Sequence, residues 1–269
     1  MKSALLAALS HAFSALSGTD GKFFLLRNRV FVENRAAQFD KYKSLQTFRP
    51  ANTTTAGQTL GVVVSSSGTV SHPTQYVTNL QSALRRTRWT SATTAGSMAG
   101  IYEAALTKVR GNASGIGGFR VEIVFSQGSN LAGHQYFVGI AASTAALGGD
   151  PSAVANTAGM GYDAADSATG NWQFMRNDGS GTATRVDLPA CPRNTTDVYR
   201  VTMQADANGT GVNAKVENLT TGVTALDTTY TTDIPVNTQF VGMRAMMRNG
   251  ATTSAGIIDV VSFDAGYQE

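Results

Sequence analysis

The chain has 269 residues, of which 42% are hydrophobic and only 14% charged, with 28 glycines and one cysteine. That length holds one large or two modest domains with ample core, and the charge lies below the roughly 25% of an average soluble domain. A single cysteine excludes an intrachain disulfide, and a net charge of +3 is only mildly basic.

Residues 1–18 carry a lysine, a short apolar run and small residues, the pattern of a secretory leader. At about 100° per residue, however, Leu5, Leu9, Phe13 and Leu16 share one helical face, while Ser3, Ser10, Ser14 and Ser17 gather on another. Gly18 is placed to end such a helix, and the run is too short to span a bilayer. We read it as an amphipathic attachment or oligomerisation helix.

Lys22, Arg27, Arg29, Arg35, Lys41, Lys43 and Arg49 crowd the next segment, which invites a nucleic-acid reading. The same stretch holds Phe23, Phe24, Leu25, Leu26, Val30, Phe31 and Val32, too much apolar surface for a solvated basic arm. No helix-turn-helix, zinc-finger or RNP signature accompanies it, so nucleic acid is not an expected partner. Residues 1–50 are taken as an attachment unit that docks onto other proteins. Residues 51–85 are Thr- and Gly-rich around short apolar pieces, and read as a connector with short strands.

From residue 86 to 269 the pattern is that of an antiparallel β-sandwich of jelly-roll or concanavalin-like type. Apolar residues recur at every second position in Phe119–Phe125, Tyr199–Ala205 and Val212–Val216, as half-buried strands require. Asn208-Gly209, Thr221-Gly222 and Asn249-Gly250 suit tight hairpins between such strands.

Few residues of the chain are equipped for chemistry. His11, His72 and His134 have no metal-ligand spacing, and Cys191 has no nearby histidine to activate it, so a buried, inert thiol is expected. Asp163 and Asp166 beside Tyr162 could supply oxygen ligands to a cation, but lack the dense carboxylates of a calcium loop. Loop closure is the plainer reading of both. Glu122 alternates with Val121 and Ile123, which assigns it to the solvent face of its strand. None of the glutamates has a second carboxylate at the spacing a polysaccharide-cleaving sandwich uses. No nucleophile elbow or phosphate loop is present. The expectation is a protein that is not an enzyme and needs no cofactor.

Recognition residues remain. Tyr162, Trp172, Asn177 and Asp178 form the candidate site, because sugars bind where an aromatic face stands beside fixed polar groups. Against this, Trp172 and Phe174 sit two apart on a strand and so share one face, which makes the core their default location.

The runs Gly115–Arg120, Phe137–Ile140, Gly159–Asp166, Met175–Leu188, Tyr199–Val201 and Thr232–Asn237 resemble, in order and spacing, the C-terminal module of tail-fibre and related surface proteins of tailed bacteriophages. The resemblance spans about residues 86–268 and rests on sandwich-building residues rather than on one diagnostic motif. It implies a lectin-like sandwich on a virion, commonly trimeric, assembled in the host cytoplasm, and carries over no binding residue. The expected role is presentation of that sandwich for host-surface recognition by a tail fibre or tail-tip protein. Its partners would be itself, other virion proteins and a host glycan or protein. Capsid decoration or a head fibre is the alternative role, and a polysaccharide-degrading enzyme a distant second.

Overall fold

The computed structural model describes residues 23–26, 29–32, 44–48, 62–166 and 169–267. The expected helix with Leu5, Leu9, Phe13 and Leu16 lies outside the described residues. Two short strands, β1 (Phe23–Leu26) and β2 (Arg29–Val32), form an antiparallel hairpin. The remaining strands build two antiparallel sheets packed face to face, so the concanavalin-like sandwich is the observed architecture.

One sheet has seven strands, in the order β12 (Thr184–Pro192), β11 (Asn171–Asn177), β10 (Thr157–Tyr162), β9 (Gln135–Ala141), β16 (Gly242–Arg248), β7 (Met98–Glu103) and β4 (Val62–Ser66). The other has eight: β15 (Val223–Tyr230), β14 (Val212–Asn218), β13 (Val198–Ala205), β8 (Phe119–Gln127), β17 (Ile257–Tyr267), β6 (Thr87–Thr90) and β5 (Thr69–Ser71), with β3 (Ser44–Phe48) as the eighth. The long β17 is paired along its first half by β6 and along its second half by β3. The stretch expected as a connector thus contributes β4 to an edge of one sheet and β5 to an edge of the other.

Alternation places the core. Val121, Ile123 and Phe125 of β8, with Tyr199, Val201 and Met203 of β13, face Tyr136, Val138 and Ile140 of β9 across the sandwich. At one end of the core, Phe125 meets Trp172 edge-on at 5.2 Å and Tyr136 stacks on Tyr162 at 5.1 Å. Aromatic pairs at these separations add about 0.5–1.5 kcal/mol beyond their buried area. Between β9 and β10 the backbones approach so closely that a Cβ on Gly139 would lie 2.3 Å from the Ala158 carbonyl oxygen. A side chain there would force the strands apart.

Of the three expected hairpins, Thr221-Gly222 makes a tight one and Asn208-Gly209 falls in a longer one, between the paired strands β13 and β14. The tight one joins β14 to β15, with Gly222 at φ +73° and its N–H bonded to the Asn218 carbonyl at 2.9 Å. In the longer one, Gly209 does not use positive φ. Asn249-Gly250 carries the chain from one sheet to the other, because β16 and β17 belong to different sheets. The dipeptide reports a local turn, and the partner of the following strand is decided by packing.

Cys191 is fully buried, and desolvation pushes its thiol up to about 12, with the Asp197 charge adding to the effect. Almost no thiolate exists at neutral pH, and the thiolate is the reactive form. Folded protein is expected to leave Cys191 unmodified by iodoacetamide at pH 8, and urea-unfolded protein to react fully, read by intact mass.

Candidate functional site

The residues singled out from sequence separate in the structure. Tyr162 and Trp172 are core side chains, 1% and 0% exposed, with ring centroids 5.1 Å apart. The Tyr162 hydroxyl accepts a 2.7 Å bond from Gln127, and the Arg193 guanidinium covers its ring at 4.1 Å. Neither ring offers a face to a sugar, so the candidate site loses its aromatic part, and Trp172 takes the core location that was its default reading. Two-residue alternation turns both rings inward, where large aromatic area is most stabilising.

Asn177 lies at the other end of β11. It closes a turn by accepting from the Gly179 N–H at 2.7 Å and donating to the Gly181 carbonyl at 3.2 Å. Asp178 accepts from the Ser180 N–H and hydroxyl, which hold its carboxyl below the usual range. These two residues shape the loop between β11 and β12.

Asp163 and Asp166 are parts of a clamp. The loop 142–156 leaves β9 and enters β10 at the same end of the sheet, yet Asp150 Oδ1 accepts from Gln135 Nε2 at 2.6 Å, at the opposite end of β9. The loop therefore lies as a strap along the outer face of the seven-stranded sheet. Asp163 holds the strap by accepting from the Ser152 N–H at 3.0 Å and from the Ser152 hydroxyl. The Arg185 guanidinium donates to the same carboxylate and lies 3.6 Å from Asp166. Asp166 Oδ2 accepts from the Asp163 N–H at 2.8 Å. A guanidinium thus takes the position a cation would need. Among the described residues no group of three or more His, Cys, Asp or Glu is arranged to hold a metal ion.

A polar cleft of about 150 Å³ opens on the outer face of the eight-stranded sheet. Its walls are Arg120 and Glu122 of β8, Arg200 and Thr202 of β13, and Asn213, Lys215 and Glu217 of β14. Register brings them together: Thr202 lies opposite both Glu122 and Lys215, and Arg200 opposite Glu217. Arg200 Nε donates to Glu217 at 2.7 Å and Lys215 lies 3.1 Å from the same carboxylate. Burial works against the Glu217 charge, but the Arg200 and Lys215 hydrogen bonds outweigh it and hold the carboxyl below the usual range. Glu122, 3.3 Å from Arg120, is on the outer face as alternation requires. It is only 4% exposed, not solvated as the sequence suggested, because neighbouring long side chains cover it. Donors and acceptors interleave on a rigid sheet at a size suited to a single polar ring, below the ~300–1,000 Å³ of sites for drug-sized ligands.

Sequence reasoning missed Arg244. It stands mid-strand in β16, on the outer face of the seven-stranded sheet, opposite Tyr102 on one side and Gly139 on the other. It is 1% exposed, and desolvation lowers its guanidinium to about 10, against a smaller opposing influence of Tyr102. One Nη donates to the Ser143 carbonyl of the strap, and Nε has no acceptor. The available signal was its place between Met243 and Ala245, an arginine in a strand otherwise apolar up to Met247.

The fold is a lectin-like β-sandwich. No protein-family model and no curated protein matches the sequence. Among solved structures, the lectin UEA-II complexed with galactose matches with a TM-score of 0.54 at 12% identity, over 85% of this chain and 100% of its own. Arcelin-5, a lectin-like defence protein from Phaseolus vulgaris, gives 0.52 at 10% identity over 83% and 98%. A carbohydrate esterase from the Shiga toxin-encoding bacteriophage phi24B gives 0.48 at 14% identity over 83% and 98%. At such identities the likeness is one of fold.

Proposed function

We propose that this chain is a structural protein of a bacteriophage virion whose sandwich binds saccharide at the host surface, as part of a tail fibre or tail tip. The observation that carries saccharide binding is the cleft bounded by Arg120, Glu122, Arg200, Thr202, Asn213, Lys215 and Glu217. Alternating charged, amide and hydroxyl groups on one rigid face offer both donors and acceptors to a ring of hydroxyls. The lectin-like fold agrees with this reading, and the virion location rests on the sequence resemblance. The chain is proposed to act without catalysis, since Glu217 is committed to ion pairs and Glu122 faces Arg120.

Self-assembly, as a trimer, is part of the proposal. Edge strand β12 carries Pro189 and Pro192, which blunt an edge. Edge strand β15 has no proline, and among the described residues no strand pairs with its outer side. A second copy would cover it. Host-cell adsorption of purified protein, paired with immunogold labelling of particles, tests the role. Saturable adsorption, weakened by Arg200→Ala, and gold on the tail are expected. Gold over the head with stoichiometric capsid binding and no adsorption would replace this role with decoration.

A further inference from the structure

Several buried charges are matched by an opposite charge, whereas Arg193, which lies over the Tyr162 ring, and Arg244 form no ion pair among the described residues. Asp259 meets Arg86 and Arg88, Lys108 meets Glu103, and Asp163 meets Arg185. Arg244 is as deeply buried, yet among the described residues no carboxylate forms an ion pair with it. Its one hydrogen-bond acceptor is a strap carbonyl, and its Nε–H is left without one. A buried unpaired cation costs several kcal/mol, so a chain selected only for stability would replace it.

Arg244 is covered by the strap and flanked by neighbouring strands. Gly139 beside Arg244 contributes no side chain, and Tyr102 on the other flank is half-buried and carries a hydroxyl. The cover is the first half of the strap, where Ala142, Ser143, Thr144, Ala145 and Ala146 are small. Nothing lies within 4 Å of where a Cβ on Gly148 or Gly149 would project. Within that half, Ser143 to Ala146 are half-buried or exposed and lie between Ala142, whose N–H donates to the Asn156 carbonyl at 3.1 Å, and the buried Leu147, while Asp150 and Ser152 anchor the second half. Lifting residues 143–146, with Ala142 and Leu147 left in place, would break the Ser143 bond and free the guanidinium.

We infer that Arg244 is the recognition centre of a second ligand site, beneath residues 143–146 of the strap, which takes the carboxylate of an acidic saccharide. Guanidinium and carboxylate match as a planar, charge-assisted pair, and binding would supply the counter-charge the fold lacks. The anion site follows from Arg244 itself, and its saccharide carrier rests on the glycan-binding reading above.

Thermal melts and calorimetry on the full chain with glucuronate, glucose and sulfate test it, using wild type, Arg244→Met and Arg244→Lys. Glucuronate should raise the wild-type Tm and glucose should not. Arg244→Met should weaken glucuronate binding roughly 10–100-fold, as loss of a hydrogen-bonded charge predicts. Without ligand its Tm should equal or exceed that of wild type, because the unpaired charge is gone. Arg244→Lys should lose most of the affinity while keeping the charge. Glucuronate binding unchanged by Arg244→Met, equal effects of glucose and glucuronate, or a lower ligand-free Tm in Arg244→Met would each overturn the site. Sulfate stabilising wild type but not Arg244→Met, with no saccharide bound, would sustain the anion site and overturn its saccharide carrier.

Discussion

Replacing Asp259 with asparagine is expected to destabilise the sandwich by about 3–5 kcal/mol, the usual cost of removing one member of a buried ion pair. Asp259 is fully buried on β17, where Arg86 Nε donates to it at 2.9 Å and Arg88 Nε at 2.8 Å. Arg88 Nη2 adds a third bond at 2.8 Å and Gln81 a fourth at 3.3 Å. Arg86 in turn donates to the Gln81 carbonyl at 2.8 Å, so one carboxylate orders the turn of helix α1 (Leu80–Ala83) and the approach to β6. An asparagine keeps the shape and removes the charge, leaving two guanidinium groups without a counter-ion. Urea unfolding should show the loss, and limited proteolysis should cut first between residues 80 and 88. An unchanged midpoint with no new cleavage would mean that solvent already screens the pair.

Lys108→Met is expected to cost a similar about 3–5 kcal/mol, and here a second substitution should recover much of it. Lys108 Nζ lies 2.5 and 2.7 Å from the two oxygens of Glu103, with the pair 0% and 3% exposed. Desolvation lowers the Lys108 ammonium, and the Glu103 carboxylate opposes that shift. Glu103 also accepts from the Met243 N–H at 2.6 Å, which ties the end of β7 to β16. Lys108→Met leaves that carboxylate buried and uncompensated. Adding Glu103→Gln removes the charge yet keeps an oxygen for the Met243 N–H, so the double variant should be more stable than Lys108→Met alone. A double-mutant cycle by urea unfolding reads the coupling; simple additivity would deny that the two charges act as a pair.

Strands were legible in the sequence wherever one face is buried and the other polar, because a period of two needs only that contrast. Phe119–Phe125 and Val212–Val216 show it, and both fall within observed strands. The seven-stranded sheet was harder to read. Its outer face is covered by the strap, so β9 and β10 are buried on both sides and their alternation vanishes. The strap itself is built mostly of Ala, Ser, Gly and Thr, which carry no periodic signal, and its course is set by Asp150 and Asp163 acting on groups distant along the sheet. The same loss of contrast hid Arg244. Alternation assigns an arginine to water unless something covers it, and the cover here is a loop that pattern reasoning cannot place.

The polar cleft was invisible for a related reason. Arg120, Arg200 and Lys215 come from three strands, and only register makes them neighbours. Read singly, each is an ordinary solvent-side residue. Tyr162 and Trp172 drew attention because aromatics are the visible part of a sugar site, whereas the structure uses both to fill the core.

The most direct test of saccharide recognition is binding of the full chain to an array of bacterial surface glycans, with wild type beside an Arg200→Ala/Lys215→Ala variant. Saturable binding to a defined set of glycans, lost in the variant while its unfolding midpoint stays within about 1 kcal/mol of wild type as surface substitutions allow, is the predicted result. Absence of binding to every glycan, or binding that the variant retains in full, would contradict the account.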